Sequence, residues 1–519
     1  MKKILDPAVP VNAFIDPTLI DMSGDPNICH VLWYDSQILF YPIVACLDKE
    51  LSISEKSLEC NADTKYVRQT VFRKRKLYGE LCRDGKVVGV TFQGFIFNIL
   101  KVLAQNHIRV KLQDLRVTKY GPDFPAPRFD LMYGFRYSQR PLLEEFLPKN
   151  QSGLVGAPCR FGKTSLIINT LRAFPTCNTV ITAPGVDLVK QLYDDVTGER
   201  GIRGREVKLI CSGSRTKFQS HESDGITICS ADSLNKCDPG MVDLLLADEP
   251  HSLVTQTRLS LVDMFPRARR YGYGATLKGR FDGRDKLITG VFGPVLAERT
   301  YKEAVEEGAI CPLNLIFIKV AITPANYGSR DAAYASLLFR STEMANTVKR
   351  ICMEVIPDEW QTLIFIKNEV QAELYLDTIG HEHTIAMAKR LTKTEREEIN
   401  QRMKNNEIKR CLCSDIYVQG VTFSDARVLI NAEAGGNNTT AIQKPGRLAE
   451  IRPGKKCGII IDFEFVLASP YTERDYTGEP FMSLISDSKN RLAAYEEMGY
   501  GIYRAETIEE AKEIFNSLV

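Results

Sequence analysis

Ala157-Pro158-Cys159-Arg160-Phe161-Gly162-Lys163-Thr164 lies between a short apolar stretch, Leu154–Val155, and a run of helical spacing from Ser165 to about Phe174. Strand, loop and helix in that order form the setting in which a loop wraps phosphate. Loop N–H groups and the positive end of the helix dipole then face the anion. Lys163 would add a point charge beside the β- and γ-phosphates, and the Thr164 hydroxyl would ligate the accompanying Mg²⁺. Ala157, Gly162 and Ser165 complete the cradle. ATP and Mg²⁺ are therefore the expected cofactors. The pattern G-x-x-x-x-G-K-T is met from Gly162 onward. Ala157 stands where the first glycine belongs, and Gly156 comes one residue early. Arg160 occupies a position where glycine is usual. An L side chain tolerates positive φ poorly, so the loop is expected to avoid that conformation there.

Outward from this loop the chain alternates apolar strands with helical patterns. Strands fit at Thr179–Ala183, Ile226–Cys229 and Leu244–Ala247, and again near Thr362–Ile366, Cys411–Cys413, Val428–Asn431 and Gly458–Ile461. Strand–helix alternation of this kind predicts α/β architecture with doubly wound parallel sheets. The expected division is a small N-terminal α/β domain over 1–125, a first sheet domain over 126–310 and a second over 311–519. Asp84-Gly85 predicts a hairpin turn between Lys76–Leu81 and Val87–Phe92. A helix is expected over Phe95–Ala104, and Gly121–Pro127 reads as a linker.

The second chemical signal is Asp248-Glu249-Pro250-His251, at the C-terminal end of the apolar run Met241–Ala247. Parallel sheets present their working groups at that end of their strands. Asp248 is the candidate Mg²⁺ ligand, acting mostly through water. Glu249 is the candidate for polarising an attacking water, and His251 for sensing the γ-phosphate.

Composition excludes several other classes. The chain has 519 residues, 44% hydrophobic and 25% charged, with a formal net charge of +2. These are the values of a globular protein of several domains, and the charge is not that of a uniformly basic nucleic-acid coat. Charged residues interrupt every apolar run before it reaches membrane-spanning length, and the N-terminus shows no signal-peptide core. A cytoplasmic protein is expected, with no membrane partner. The 14 cysteines include no C-x-x-C pair, so they read as small buried apolar residues.

Taken together these motifs resemble superfamily two helicases of the DExH type. Phe135-Arg136-Tyr137-Ser138-Gln139 resembles their adenine-reading motif, which implies nucleotide contacts from Arg136 and Gln139. Thr182-Ala183-Pro184 with Leu188 and Gln191 resembles motif Ia, and Gly274-Ala275-Thr276 resembles motif III. Phe292-Gly293-Pro294-Val295, Glu303-Ala304 and Ile310-Cys311-Pro312 resemble the exit from the first motor domain in XPB-like and phage UvsW-like members. Leu363–Ile366 resembles motif IV. Ser414-Asp415 with Gln419-Gly420-Val421-Thr422-Phe423 resembles motif V, and Gln443-Lys444-Pro445-Gly446-Arg447 resembles motif VI. The likeness covers about residues 130 to 465. It implies two tandem RecA-like domains, ATP hydrolysis aided by Gln443 and Arg447, and movement on DNA that is single-stranded, duplex or branched. RNA is the alternative track on the same engine, and duplex translocation without strand separation is a further one.

Motif VI departs from the family pattern. Its second arginine is replaced by Glu450, and Arg452 lies two residues further on. A carboxylate facing a γ-phosphate would repel it, whereas a well-placed arginine accelerates phosphoryl transfer about 10³-fold or more. Arg452 is therefore the expected substitute. In the first block, Arg73-Lys74-Arg75-Lys76 beside Phe72 and Tyr78 reads equally as a duplex contact or as a charged strand edge. The tail reads as two amphipathic helices, Arg491 to about Tyr503 and Thr507–Leu518, with Met498, Tyr500 and Tyr503 in the core.

Overall fold

A computed structural model describes residues 16–519 apart from 23–24, 26, 61–67, 117–123, 150, 212–223, 266, 276, 278–284, 388–391, 415–424 and 436–443. Apart from the short segments 58–70 and 158–161, one compact unit runs to Arg299 and a second from Thr300 to Val519.

Two sheets of five or more strands lie in the first unit. The larger has seven parallel strands in the spatial order Val207–Ile210, Ile226–Ser230, Thr179–Ala183, Leu244–Asp248, Arg269–Gly274, Gly153–Gly156 and Val295–Glu298. Most of its central strands are buried along their whole length. That is why they read as continuous apolar runs rather than as alternating ones. The second unit repeats the arrangement. Its strands run in the order Thr384–Met387, Arg410–Cys413, Gln361–Phe365, Ala426–Asn431, Gly458–Leu467, Leu313–Ile322 and Gly501–Ala505, again all parallel. Ranked along the chain, each sheet reads 3-4-2-5-6-1-7. Two copies of one seven-strand topology make these tandem RecA-like domains.

The smaller sheet of the first unit is mixed and five-stranded, in the order Tyr78–Arg83, Lys86–Phe92, Gln37–Tyr41, Ile28–Trp33 and Arg109–Asp114. Its hairpin turns through Asp84 and Gly85 at φ +48° and +71°. The following helix runs Ile96–Gln105 and buries Ile96, Ile99 and Leu103. This layer is not tethered loosely. Phe95 and Ile96 share one apolar core with Leu287, Ile288, Val291 and Phe292 of the large-sheet domain. A Cβ on Gly94 would lie 2.1 Å from the Thr289 carbonyl oxygen. In the basic run, Lys74 is paired with Asp48 at 2.5 Å and Lys76 with Glu80.

The tail differs from its sequence reading. One helix spans Met482–Met498 and ends where Gly499 turns left-handed at φ +76°. Residues 501–505 are then a strand, not the end of a helix, and Leu313–Ile322 is their parallel partner. Glycines at 499 and 501 break the helical run, and the exposed edge of the sheet supplies backbone partners that a helix end lacks. Tyr500 is buried, but Tyr503 is 37% exposed. Among the described residues no helix is long and apolar enough to cross a membrane.

Candidate nucleotide-binding site

The phosphate loop follows the buried strand Gly153–Gly156. Ala157 N–H donates to Gly274 O at 3.0 Å, and Phe161 N–H closes a turn onto Pro158 O at 3.2 Å. Arg160 adopts φ +68° and Gly162 φ +100°. The expectation that Arg160 avoids the left-handed region is thus overturned. The tight turn demands that geometry, and a residue other than glycine there costs about 1–2 kcal/mol of backbone strain. The helix then runs Lys163–Ala173 with Gly162 as its cap. Its first N–H groups have no partner within the helix, so its N-terminus faces the loop as an anion site. Deeper in, Thr170 Oγ1 and Tyr273 OH lie 2.7 Å apart, locking this helix to the strand Arg269–Gly274.

The acidic motif comes from the strand Leu244–Asp248, separated from the phosphate-loop strand by Arg269–Gly274 alone. All three strands are parallel, so their C-terminal ends share one edge. Glu249 N–H donates to Tyr273 O at 2.9 Å, and Glu249 turns the chain at φ +53°. Pro250 then folds back over the neighbouring strand. A Cβ on Gly272 would lie 3.0 Å from its ring, which explains a glycine inside a central strand.

Four charged or titratable groups meet here. Lys163 Nζ is ion-paired with Glu249 Oε1. His251 Nδ1 lies 3.3 Å from Glu249 Oε2, an electrostatic contact short of hydrogen-bond geometry. Burial pushes the Asp248 carboxyl up to about 6, against the pull of Lys163. Burial acts upward on Glu249 too, but Lys163 and His251 outweigh it and hold that carboxyl at about 2. Among the described residues, none donates a hydrogen bond to the buried Asp248 Oδ1. A buried carboxylate oxygen of this kind is a hard-oxygen donor that suits Mg²⁺, and Thr164 offers a hydroxyl in the first turn of the helix after the loop.

Gln139 is 2% exposed and lies against the loop. Its Oε1 accepts from Arg136 N–H at 3.0 Å and from Ser165 Oγ at 3.2 Å. A Cβ on Gly162 would sit 2.4 Å from its Nε2. Ala157, Gly162, Lys163, Thr164, Ser165, Gln139, Asp248, Glu249 and His251 therefore all belong to the first unit's loop or its sheet edge. Arg136 is exposed, and its backbone rather than its guanidinium makes the Gln139 contact.

In the second unit Arg447 is half-buried in the turn Pro445–Leu448. Arg452 Nη2 donates to Glu450 Oε1 at 2.5 Å, so the anomalous carboxylate is matched by the arginine two residues on. Gln443 and Gly420 lie outside the described residues. The sequence reading passed over Glu433, which accepts from Lys444 at 2.5 Å and from Lys367 at 2.7 Å and anchors the start of motif VI. Lys444 directly before Pro445-Gly446-Arg447 was the available signal. Glu433, at the end of a strand, carried none.

Repeated seven-strand sheets give the chain a tandem RecA-like build, with a candidate phosphate loop and an acidic strand end in the first of them. Residues 132–279 match the family described as type III restriction enzyme, res subunit, and residues 346–452 match the helicase conserved C-terminal domain. Through these two stretches the chain is similar to the superfamily two helicases. It is 23% identical over 374 residues to the DNA 3′-5′ helicase XPB of Mycobacterium tuberculosis, covering 69% of this chain and 63% of that one. It is 23% identical over 321 residues to the ATP-dependent helicase Lhr-Core of Methanocaldococcus jannaschii, covering 58% of this chain and 35% of that one. The chain thus spans less than two thirds of the curated relatives it matches. In fold it is similar to the ATP-dependent type ISP restriction-modification enzyme LlaBIII bound to DNA, with a TM-score of 0.56, 12% identity, and 81% of this chain and 36% of that one covered.

Proposed function

We propose that this chain is an ATP-dependent motor that moves along or remodels DNA, branched DNA included. The observation that carries the reading is the Lys163–Glu249 pair with Asp248 beside it at one sheet edge, in a chain whose seven-strand topology occurs twice. Lys163 and the helix N-terminus would bind the phosphates, and Thr164 and Asp248 would hold Mg²⁺. The bound ion would supply charge neutralisation at the phosphates. Glu249, held ionised, is suited to accept a proton from water. Gln139 and Arg136 would fix the base. Arg447, with Gln443 and Arg452 as neighbours, is the proposed catalytic arginine of the second domain, and Gly420 would contribute to nucleotide contact there. Phosphate-directed contacts would make movement independent of sequence. A cytoplasmic site of action is proposed with it.

The test is ATP turnover measured with single-stranded, duplex, forked and four-way DNA and with RNA. Stimulation by DNA, greatest for forked or four-way forms, is expected. Stimulation by RNA alone would replace the DNA reading. Lys163→Ala should be inert throughout.

A further inference from the structure

Two neighbouring parallel strands of the second unit, Gln361–Phe365 and Ala426–Asn431, end at one sheet edge. Just beyond those ends stand Lys367 and Glu433, and the Lys367 ammonium donates to Glu433 Oε1 at 2.7 Å. The other carboxylate oxygen, Oε2, accepts from Lys444 at 2.5 Å. The two lysines differ in access. Lys444 is 6% exposed and lies over the Phe365 ring at 4.8 Å, whereas the Lys367 side chain is 55% exposed. Glu433 is itself buried.

One carboxylate thus serves two ammonium groups. Burial pushes the Glu433 carboxyl up, but Lys444 and Lys367 outweigh it and hold it below the usual carboxylate range, so it is ionised. The three groups together carry one positive charge. An anion arriving from solvent would meet Lys367, the exposed member. The buried Lys444 would keep Glu433, because a buried charge stripped of its partner costs about 3–5 kcal/mol.

The backbone around Lys367 is fixed. Its N–H donates to Gln371 Oε1 at 2.8 Å, and Gln371 Nε2 donates to Ala432 O at 2.8 Å. The lysine side chain can therefore swing away without moving either strand. Lys444 is placed differently. Its backbone oxygen accepts from Arg447 N–H at 3.2 Å, and it caps the turn Pro445–Leu448. What holds the Lys444 side chain bears on where that turn presents Arg447.

We propose that Glu433 is a positioning residue that links nucleic-acid binding to ATP turnover. A phosphate of the strand draws Lys367 off, Glu433 then bonds Lys444 alone, and the turn carrying Arg447 settles into its working geometry. This rests on the nucleic-acid motor reading above, with Arg447 as the catalytic arginine.

The full chain is titrated with a labelled oligothymidylate at several salt concentrations, and ATP turnover is measured without strand and at saturation. Lys367→Ala should lower the slope of log affinity against log salt by about 0.7, the share of one phosphate contact on a single strand. It should also raise strand-free turnover by about fivefold or more, toward the saturated wild-type rate, because Glu433 is then left to Lys444. A lysine that only stabilises the fold would give no such gain. Glu433→Gln should bind the strand as tightly as wild type while saturating strand no longer stimulates, and Glu433→Asp should restore part of the stimulation. If Glu433→Gln does not fold, Lys367→Ala decides alone, since that lysine is exposed. With the wild type stimulated, an unraised strand-free turnover or an unchanged salt slope in Lys367→Ala overturns the link and leaves the motor standing. Full stimulation in Glu433→Gln does the same. Wild-type turnover that no DNA or RNA strand stimulates overturns both readings.

Discussion

The Lys163 ammonium and the Glu249 carboxylate form an ion pair at the sheet edge, and this pair occupies the place proposed for the γ-phosphate's partners. A nucleotide bound as proposed would compete for Lys163, and in doing so it would release Glu249. Lys163→Ala is expected to abolish measurable turnover and to weaken ATP binding in equilibrium titration. It would also leave Glu249 buried with fewer opposing charges, raising its pKa. Unchanged ATP binding in this variant would remove the loop assignment.

Asp248 gives a pH signature. Burial raises its carboxyl from 3.8 to about 6. Protonation is therefore favoured in the folded state, and ionised Asp248 works against stability. That cost is fully present above about pH 6, shrinks as the pH falls, and is absent below the unfolded value. Each tenfold difference in proton affinity between the folded and unfolded chain corresponds to about 1.4 kcal/mol. Asp248→Asn should accordingly melt higher than wild type at pH 7.5, with the gain fading toward pH 4, while ATP turnover is lost. In the wild type, Mg²⁺-dependent ATP turnover should fall as the pH drops through about 6. A gain in melting temperature that does not depend on pH would show that Asp248 is not the buried titrating group.

Gly162 has no room for a methyl group, since φ is +100° and the Gln139 amide would lie 2.4 Å from the added carbon. Gly162→Ala should strain the loop by about 1–2 kcal/mol and displace Gln139. Weaker binding of a fluorescent ATP analogue, with the melting temperature lowered only modestly, is the expected result. Gln139→Ala leaves the loop backbone free and should act on selectivity instead, bringing GTP turnover close to that with ATP. An ATP preference that survives would assign base reading to another residue.

The motifs were legible because their spacing is fixed by one sheet edge, and the apolar strands because burial on both faces leaves no polar positions. Thr179–Ala183 is the clearest case. Arg269–Gly274 was hidden by its own residues, two arginines and two glycines inside a central strand. Arg270 is reconciled with burial by bonds to Val291 O and Phe265 O, both at 3.2 Å, and Arg269 by stacking over Phe124 at 3.4 Å. Val291 and Phe124 are distant in sequence, so no local pattern announces them. Arg160 shows the converse, a local preference overruled by the geometry of the turn. The Glu433–Lys444 pair, like the strand at 501–505, depends on which elements become neighbours, and that emerges only in the folded chain.

Arg447 is the test of the second domain's part in catalysis. Arg447→Ala should lower nucleic-acid-stimulated turnover by about 10³-fold or more, as expected for a catalytic arginine in phosphoryl transfer. ATP affinity should stay within a few-fold, because the phosphate loop is intact. Stopped-flow binding and steady-state turnover separate the two quantities. Undiminished turnover would withdraw the assignment.

A buried ionic network holds the chain at Ala434. Arg491 bonds both Asp462 oxygens at 2.9 Å, and Asn431 Nδ2 and Tyr495 OH each donate to Asp462 Oδ2 at 2.9 Å. Arg491 Nη1 also donates to Ala434 O at 2.7 Å, where the chain turns at φ +53° shortly before Gln443. Removing one member of a buried pair leaves the other charge uncompensated, at about 3–5 kcal/mol. Arg491→Leu and Asp462→Leu should each destabilise the chain by that order in denaturant titration. The double variant should cost clearly less than the two combined, because the lone charge is gone. Arg491→Lys keeps the charge but not the fork that reaches Asp462 and Ala434 together. It should recover most of the stability and still show reduced turnover with ATP affinity retained, since Ala434 would be held less firmly. Full turnover in Arg491→Lys would make the network a matter of stability alone.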